Sequence, residues 1–563
     1  MIAESAWAAT SPGETVYELF AGIAAQFPSR PLFHVLAETA EKYGIEPGER
    51  PYADILGLAD DLSERLKAAG YCAGHRVMLL LENRPEHFVW LLALNRIGAS
   101  VVPVNPDLRH AELVYMAGHS RPVLIVSVTA RMNDLETAAR EAGLDAACIS
   151  ASATVHDMPL PVPGSSGTVA LRSADGLAIS SGEGLEAALL YTSGTTGSPK
   201  GCILTNNYFL EAGRWYAGTG GLCALETGGE RMITPLPVFH MNALAYSFMA
   251  MVSVGGCLVC LDRFHPATWW ASVRESRATC LHYLGVMPTM LMGAEPSPSD
   301  RNHNVRFGFG AGVDPKLHAA FEVRFGFPLI EAWAMTETGA GAVICANRQP
   351  RRVGESCLGK IEGGLEIRLV DDSGNDSELG PGELLVRRMG DDPRRGFFSG
   401  YYANEEATAQ AWQDGWFHTG DIVRREADGS VFFVDRRKNV IRRSGENIAA
   451  VEVESVLMRH PAIAAAAVTA VPDAVRGDEV FACILVRQTA DRKAGNALAR
   501  EVVSWCLAQL AYYKAPGYIA FVDELPLTST QKIQRGELKV LAARLVGDAA
   551  TADTRAMKKR TAA

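Results

Sequence analysis

A loop rich in hydroxyl and glycine residues is the most chemically informative stretch of the chain. It follows the apolar run 187–191 and reads Thr-Ser-Gly-Thr-Thr-Gly-Ser-Pro-Lys over residues 192–200. Glycines let a backbone approach a ligand closely, hydroxyls donate hydrogen bonds to phosphate oxygens, and a lysine adds a positive charge. The loop is therefore predicted to bind the phosphates of a nucleotide. The residues given this role are Thr192, Ser193, Gly194, Thr195, Thr196, Gly197 and Lys200.

The spacing of this loop excludes the Walker A motif. That motif needs four residues between its two glycines and a lysine followed directly by Ser or Thr. Here Gly194 and Gly197 are closer together, and a glycine follows Lys200. An ordinary P-loop NTPase is therefore not expected. The alternative is a flexible surface linker, which is disfavoured because the loop follows an apolar run typical of a strand.

Four further motifs follow the loop in a fixed order. They are Ala-Trp-Ala-Met-Thr-Glu-Thr at 332–338, Gly-Trp-Phe-His-Thr-Gly-Asp at 415–421, Asp-Arg-Arg-Lys at 435–438 and Thr-Ser-Thr-Gln-Lys-Ile at 528–533. Together they resemble the adenylate-forming superfamily, which includes acyl-CoA synthetases, adenylation domains of non-ribosomal peptide synthetases and luciferases. The resemblance covers about residues 16–538. The sequence Phe-His-Met-Asn-Ala around His240 is most similar to the branch of crotonobetaine/carnitine-CoA ligases and related acyl-CoA synthetases.

The resemblance implies a two-step ligase reaction. ATP and Mg²⁺ convert a carboxylic acid into an acyl adenylate and pyrophosphate, and the acyl group then passes to a thiol with release of AMP. The expected acceptor is coenzyme A, and the phosphopantetheine arm of an acyl carrier protein is the alternative. A catalytically idle paralogue that acts as a binding or scaffolding protein is a third possibility, disfavoured because the motif residues are intact.

The resemblance also assigns roles in nucleotide binding. Glu337 corresponds to the Mg²⁺ ligand, and Mg²⁺ prefers a hard oxygen ligand. Thr336 would hydrogen-bond the adenylate phosphate, and Trp333 lies where the family usually has a tyrosine stacked on adenine. Asp421 would bind the ribose hydroxyls, and Arg436 would lie near the ribose and phosphates. Taken singly, each residue also has a structural interpretation, as a core, turn or surface residue.

The resemblance places further residues at the reacting groups. Lys532 would neutralise the substrate carboxylate and the α-phosphate, which otherwise repel each other. His240 would lie beside the carboxylate at the mouth of the acyl pocket, although a buried structural histidine is an alternative. Lys438 corresponds to the hinge about which the small C-terminal domain turns between half-reactions. Gly445 and Glu446 correspond to the loop that lines the pantetheine tunnel.

The acyl pocket is expected near residues 237–242 and 286–289 and along two glycine-rich segments. The first segment, Gly310, Ala311 and Gly312, is also assigned to cofactor binding. In the second, the small residues at 340–342 are interpreted as room for a sizeable acyl chain or ring. No charged residue is placed to hold an ammonium group, which argues against amino-acid adenylation. Arg442 and Arg443 are expected to attract the phosphates of CoA.

These residues need an α/β framework to position them. Apolar residues recur at helical spacing from Val16 to Phe27, whereas residues 77–81 and 123–126 are typical of buried strands. The predicted fold is α/β, with a large N-terminal domain of parallel-sheet subdomains and a β-barrel-like subdomain, and a small mobile α+β C-terminal domain. The predicted boundaries are 1–435 for the N-terminal domain with the ATP and acyl pockets, 436–438 for the hinge and 439–546 for the C-terminal domain. A polar tail at 547–563 is predicted to be disordered.

Composition restricts the partners and the location. A net charge of −10 gives no basic face for nucleic acid. The eleven cysteines are scattered, and Cys257 and Cys260 are predicted to lie in a core strand rather than a zinc site. The first residues lack the basic front of a signal peptide, and no apolar run approaches the ~18 residues that a membrane span needs. A soluble, cytoplasmic monomer or homodimer is expected.

Overall fold

The computed structural model describes residues 14–150, 160–161, 182–192, 199–371, 373–436, 440–487, 495–526 and 533–560. The chain forms two compact units. Unit 1 comprises Met1–Asn105, Ala117–Leu190 and Gly201–Asp435, and unit 2 comprises Pro106–Met116, Tyr191–Lys200 and Arg436–Ala563. Strands and helices are numbered here in chain order.

An eight-stranded sheet forms one layer of unit 1. In spatial order its strands are β14 (Ile344–Cys345), β13 (Leu329–Trp333), β12 (Phe307–Ala311), β11 (Cys280–Leu284), β9 (Arg231–Thr234), β10 (Cys257–Cys260), β1 (Pro31–Val35) and β2 (Gly48–Pro51). The six central strands are parallel, and the two edge strands are antiparallel to their neighbours. Parallel neighbours require crossover connections, which the helices supply. The α/β prediction is confirmed.

A seven-stranded sheet follows the same plan. Its strands, in spatial order, are β18 (Gly400–Tyr401), β8 (Lys200–Thr205), β7 (Glu186–Thr192), β4 (Ser100–Pro103), β3 (Arg76–Leu80), β5 (Leu124–Ser127) and β6 (Ala147–Ser150). The run from β7 to β6 is parallel. Every residue of β3 and β5 is buried, which is why both strands were recognisable as apolar runs.

A third sheet in unit 1 is antiparallel in the pairings that are described. Its order is β15 (Cys357–Lys360), β21 (Ser430–Arg436), β20 (Trp416–Arg425), β17 (Gly382–Arg388) and β16 (Leu365–Val370), with β19 (Trp412–Gln413) paired to β20. A β-barrel-like subdomain was predicted without bounds, and this antiparallel sheet is the part of unit 1 that corresponds to it. It supplies β20, which carries Asp421.

The helices α1 to α12 accompany these sheets. Their bounds are α1 Val16–Gln26, α2 Ala37–Tyr43, α3 Tyr52–Ala68, α4 Pro85–Arg96, α5 His110–Ser120, α6 Met132–Glu141, α7 Asn206–Gly218, α8 Phe248–Val254, α9 Trp269–Ser276, α10 Val286–Met292, α11 Pro315–Phe325 and α12 Glu405–Ala411. A π-helix, Asn242–Ser247, precedes α8. The first helix begins at a capping box in which Thr15 and Glu18 satisfy each other's backbone N–H groups.

Unit 2 is a small α+β unit. Its sheet contains β23 (Glu446–Ala449), β22 (Val440–Arg443), β25 (Gly477–Val486), β26 (Tyr518–Phe521) and β27 (Ala552–Asp553), with β24 (Ile463–Asp473) paired to β25. Its helices are α13 (Ala450–Met458), α14 (Gly495–Gln509) and α15 (Arg535–Leu545). Helix α13 packs Val453 and Leu457 into the unit's apolar core.

The C-terminal tail is ordered where the structure describes it, so the prediction of disorder is wrong up to residue 560. Strand β27 pairs with β26, and the Thr554 hydroxyl donates to the carbonyl of Pro516 at 2.9 Å. Lys558 is buried and pairs with the carboxylate of Glu479. Strand pairing and a buried ion pair hold the tail, and composition alone does not reveal either.

The structure shows where the cysteines lie and whether the described residues form a metal-ligand group or a membrane-spanning helix. Cys257 and Cys260 lie in the buried strand β10, as predicted, and all eleven cysteines are free thiols. Within the described ranges, no group of three or more His, Cys, Asp and Glu side chains is arranged to hold a metal ion. None of the helices described here combines the length and apolarity needed to cross a membrane.

Candidate active site

The strand β13 delivers the first group of predicted site residues. It ends at Trp333, at the carboxyl edge of the parallel sheet, where α/β proteins commonly bind ligands. A tight turn follows, because the Met335 N–H donates to Thr338 Oγ1 at 3.0 Å and the Gly339 N–H donates to the Met335 carbonyl at 3.0 Å. The turn holds Thr336 and Glu337 at this edge.

Glu337 is buried and has a defined orientation. The Tyr401 hydroxyl donates to its Oε1 at 2.8 Å. Burial, reinforced by the negative charge of Glu337, raises the pKa of Tyr401 well above its usual range, so the hydroxyl remains a donor. Mg²⁺ is commonly bound by one or two carboxylates together with substrate phosphates. A single oriented carboxylate such as Glu337 fits that donor set.

Trp333 and Asp421 are brought into direct contact although they are far apart in the sequence. The indole Nε1–H donates to Asp421 Oδ2 at 2.8 Å, and the residues are 5% and 3% exposed. On β20, the Asp421 N–H donates to Thr419 Oγ1 at 3.0 Å, and the Thr419 hydroxyl donates to the Leu384 carbonyl at 2.6 Å. Trp333, expected as a stacking platform for adenine, is therefore a nearly buried donor to the carboxylate expected at the ribose.

A buried carboxylate missed from the sequence organises the loop after β12. Glu331 accepts the Gly312 N–H at 3.0 Å and the Val313 N–H at 2.8 Å. Gly312 has φ +78°, and a Cβ on Gly310 would lie 2.1 Å from the Tyr283 carbonyl oxygen. These contacts fix the predicted segment Gly310, Ala311 and Gly312. The available signal was an acidic residue inside the apolar strand β13, because a buried carboxylate needs hydrogen-bond partners.

His240 lies just before the π-helix. It is half-buried, and its ring centroid is 4.7 Å from that of Phe239. Its carbonyl accepts the Leu244 N–H at 3.1 Å. π-helical turns often occur at functional sites. The Tyr246 hydroxyl donates to the Gly339 carbonyl at 2.8 Å, which ties the π-helix to the turn that carries Glu337.

Close packing explains why glycine occupies positions 339 and 341. A Cβ on Gly341 would lie 2.1 Å from Phe397 Cδ2 and 2.7 Å from the Arg395 carbonyl oxygen. A Cβ on Gly339 would lie 2.3 Å from the ring of Tyr208. Because protein atoms fill this space, the interpretation of residues 340–342 as room for an acyl chain is corrected at Gly341.

Several predicted residues belong to unit 2 or lie outside the described residues. Thr192 ends β7 and Lys200 begins β8. Arg436 ends β21, and its side chain is not among those described. The residues that lie outside the described part of the chain are Ser193, Gly194, Thr195, Thr196, Gly197, Lys438 and Lys532.

The loop expected to line the pantetheine tunnel is a tight hairpin. Arg443 on β22 pairs with Glu446 on β23, and the two residues between them, Ser444 and Gly445, have φ +50° and +91°. Positive φ at both positions is typical of a two-residue hairpin turn. Arg443 is fully buried against Glu479, at 2.8 Å, rather than exposed. The expectation that Arg443 attracts CoA phosphates is therefore wrong.

Comparison with known proteins gives a consistent set of relatives. The model of the AMP-binding enzyme family matches residues 24–402, and the AMP-binding enzyme C-terminal domain matches residues 452–532. Sulfoacetate–CoA ligase of Cupriavidus necator is 31% identical over 93% of this chain and 97% of its own length. Crotonobetaine/carnitine–CoA ligase of Escherichia coli is 30% identical over 90% of this chain and 96% of its own. The solved structure of o-succinylbenzoate CoA synthetase from Bacillus subtilis shares the fold, with TM-score 0.76 and 23% identity over 93% of this chain and 98% of that one.

Proposed function

Because this chain belongs to the AMP-binding enzyme family, we propose that it is an ATP-dependent ligase that joins a carboxylic acid to coenzyme A through an acyl adenylate. The observation that carries the proposal is the edge at which β13 ends. There Trp333 contacts Asp421, and Thr336 and Glu337 follow within one turn. One carboxylate that can bind Mg²⁺ and a second that can accept sugar hydroxyls, both in unit 1, suit a nucleotide substrate.

The proposed chemistry has two balanced steps. In the first, a carboxylate oxygen of the acid attacks the α-phosphorus of ATP, and the bond to the bridging oxygen breaks so that pyrophosphate leaves. In the second, the thiolate sulfur of CoA attacks the acyl carbon, and the bond to the phosphate oxygen breaks so that AMP leaves. Activation must come first because a free carboxylate is a poor electrophile.

The residues at the edge would stabilise the first step. Glu337, oriented by Tyr401, would hold Mg²⁺, which supplies positive charge to the phosphates. The Thr336 hydroxyl would donate a hydrogen bond to the α-phosphate. Asp421, which accepts from Trp333, would also accept the ribose hydroxyls, because a carboxylate is an acceptor with about four acceptor sites. Trp333 would act mainly by fixing the rotation of that carboxylate.

Other roles are proposed from the family resemblance. Lys532 would neutralise the substrate carboxylate and α-phosphate, His240 would lie at the mouth of the acyl pocket, and Lys438 would be the hinge. The Gly445 hairpin, with no side chain at its tip, would let the thiol arm pass close to the backbone. An acyl carrier protein as acceptor has no specific support, because the two relatives named above are both CoA ligases.

The test is product analysis by mass spectrometry. The protein is incubated with ATP and Mg²⁺ and a panel of short polar, fatty, aryl and polycyclic acids, with or without CoA. We expect AMP, pyrophosphate and one class of acyl-CoA. Enzyme-bound acyl adenylate that CoA never discharges would contradict the CoA assignment, and the absence of AMP with every acid would contradict the proposal.

Two glutamate-to-glutamine variants test whether Glu337 belongs to the metal site. Glu337→Gln should lose adenylate formation because the amide is a much weaker Mg²⁺ ligand than the carboxylate. Glu46→Gln makes the same change at an exposed carboxylate, and this variant should still form the adenylate. Equal activity in the two variants would remove Glu337 from the metal site.

A further inference from the structure

A buried polar network joins β11 to the π-helix. His282 on β11 is fully buried, and three polar side chains contact its ring. The Tyr216 hydroxyl lies 2.9 Å from Nε2. On the other side of the ring, Nδ1 lies 2.9 Å from Ser247 Oγ and 2.6 Å from Asn242 Oδ1.

The hydroxyl proton of Tyr216 fixes the direction of these bonds. Tyr216 is fully buried, and among the residues that the structure describes its hydroxyl bonds only to His282. The hydroxyl must donate to Nε2, because leaving a buried donor unpaired costs about 1–3 kcal/mol. Burial lowers the pKa of His282 to about 3, so the ring is neutral at pH 7 and carries its one proton on Nδ1.

The proton on Nδ1 in turn fixes the amide of Asn242. The Ser247 hydroxyl donates to the Asn242 backbone carbonyl at 3.1 Å, so Ser247 Oγ accepts from the ring. Asn242 must also accept from the ring, and it therefore turns Oδ1 toward His282. Its Nδ2, with two N–H donors, is left pointing away. No residue in the described part of the chain accepts a hydrogen bond from this Nδ2.

Asn242 lies at the start of the π-helix, and the ring it contacts packs against an aromatic side chain. Asn242 is half-buried at the start of the π-helix, directly after His240 and Met241. The ring of Phe309 on β12 lies 5.5 Å from that of His282. The network carries no charge at neutral pH, so it offers no counter-charge to an anionic or cationic group.

Three aromatic side chains extend from this network, and we call them the aromatic wall. The half-buried Trp215 lies 5.9 Å from Phe309 and 5.6 Å from Tyr246, measured between ring centroids. The Tyr246 hydroxyl bonds to the Gly339 carbonyl, in the segment that follows Glu337. The wall and the Asn242 amide are therefore connected to the edge of the sheet where the acid is proposed to react.

We propose that Asn242 is a specificity-determining residue, whose Nδ2–H donates to an uncharged oxygen on the acyl part of the acid. The substrate class is then an acid with a hydroxyl, ether or carbonyl oxygen next to an apolar or aromatic portion. This inference rests on the proposed function. Tyr216 and His282 are positioning residues, because they act only by turning the amide.

The test measures binding, which does not depend on turnover. Calorimetry compares non-hydrolysable acyl sulfamoyl adenosines that carry hexanoyl or its 3-, 4- or 5-oxo derivative. We expect at least one ketone to bind about tenfold more tightly than hexanoyl, which corresponds to about one hydrogen bond. Equal affinity of all four analogues would overturn the inference alone. No binding of any analogue would overturn the proposed function with it.

Variants separate donation by Asn242 from general effects on packing. Asn242→Leu and the isosteric Asn242→Asp both lack an N–H donor and should lose the ketone preference. Without the Tyr216 hydroxyl, His282 can carry its proton on Nε2 instead of Nδ1. Tyr216→Phe should therefore reduce the preference for the ketone. The control Tyr71→Phe removes a buried hydroxyl that has no partner in the described structure. This variant should keep the preference for the ketone. A tenfold preference that survives in both Asn242 variants would overturn the inference.

Discussion

The indole nitrogen of Trp333 donates a 2.8 Å hydrogen bond to Asp421, and this bond joins the end of β13 to the middle of β20. It connects the parallel sheet of unit 1 with the antiparallel sheet. The residues proposed to bind adenine and ribose are thereby hydrogen-bonded to each other, so a change in Trp333 alters the environment of Asp421, the proposed ribose ligand.

Trp333→Phe should therefore weaken ATP binding while keeping an aromatic ring in place. A hydrogen bond to a charged group contributes roughly 1.5–3 kcal/mol, so the KM for ATP should rise about tenfold or more. Steady-state kinetics with varied ATP measure this. Trp269→Phe is the control, because the Trp269 indole N–H is buried and has no partner in the described structure. An unchanged KM for ATP in Trp333→Phe would refute the coupling.

Tyr401→Phe should lower the apparent affinity for Mg²⁺ about tenfold or more, since a hydrogen bond to a charged group contributes roughly 1.5–3 kcal/mol. Burial and the charge of Glu337 raise the pKa of Tyr401, so its hydroxyl stays protonated from pH 6 to pH 9. The ratio of native to variant affinity should then be constant over that range. Mg²⁺ titrations of adenylate formation at several pH values check it. A ratio that approaches one at high pH would mean that Tyr401 ionises.

Local sequence patterns predicted the framework and the contiguous part of the site. Strands β3 and β5 were recognisable because parallel strands buried on both faces are runs of apolar residues. Thr336 and Glu337 were predicted together because they adjoin Trp333 in the sequence. A turn of a few residues keeps such neighbours together in any fold.

Long-range partners could not be predicted in the same way. Tyr401, which orients Glu337, is 64 residues away and lies on the two-residue strand β18, which has no periodicity to recognise. The ordered tail was missed because composition reports only how much apolar surface a segment can bury. It does not report a strand edge such as β26, or a buried carboxylate such as Glu479.

Lys558 should make the stability of unit 2 depend on pH. Burial and, secondarily, Arg443 lower the pKa of Lys558 to about 7, despite its contact with Glu479. An unfolded lysine titrates near pH 10.4, so between pH 7 and pH 10 the unfolded state binds more protons. The free energy of unfolding should rise with pH there, by up to about 1.4 kcal/mol per pH unit, and be lowest below pH 7.

Lys558→Met should abolish this rise, whereas Lys559→Met, at an exposed neighbour, should retain it. The free energy of unfolding is measured by urea unfolding at pH 7, 8 and 9. Unfolding of unit 2 is followed through the ¹⁹F resonance of Trp505 in protein labelled with 5-fluorotryptophan. Trp505 is the only tryptophan between residues 436 and 563. Parallel pH profiles for native protein and Lys558→Met would show that Lys558 does not titrate in this range.

Gly341→Ala distinguishes packing from substrate binding at the segment after Glu337. The new methyl group would collide with Phe397, which is buried between Trp412 and Phe417 at centroid distances of 5.0 and 5.9 Å and cannot move freely. Overpacking of this kind costs about 1–3 kcal/mol. We therefore expect a lower melting temperature and an unchanged preference among acids of increasing chain length.

Gly57→Ala in α3 is the matched control for Gly341→Ala. No atom lies within 4 Å of its added Cβ, and alanine is favoured over glycine inside a helix by up to about 1 kcal/mol. Calorimetry and kcat/KM across a series of acids compare the two variants. If Gly341→Ala melts like the native protein and prefers shorter acids, Gly341 lines the acyl pocket and the ring of Phe397 moves to accommodate the added methyl group. If it melts earlier with the preference intact, the glycine is required by the fold, because Phe397 fills the space beside it, and Gly341 does not select the acid.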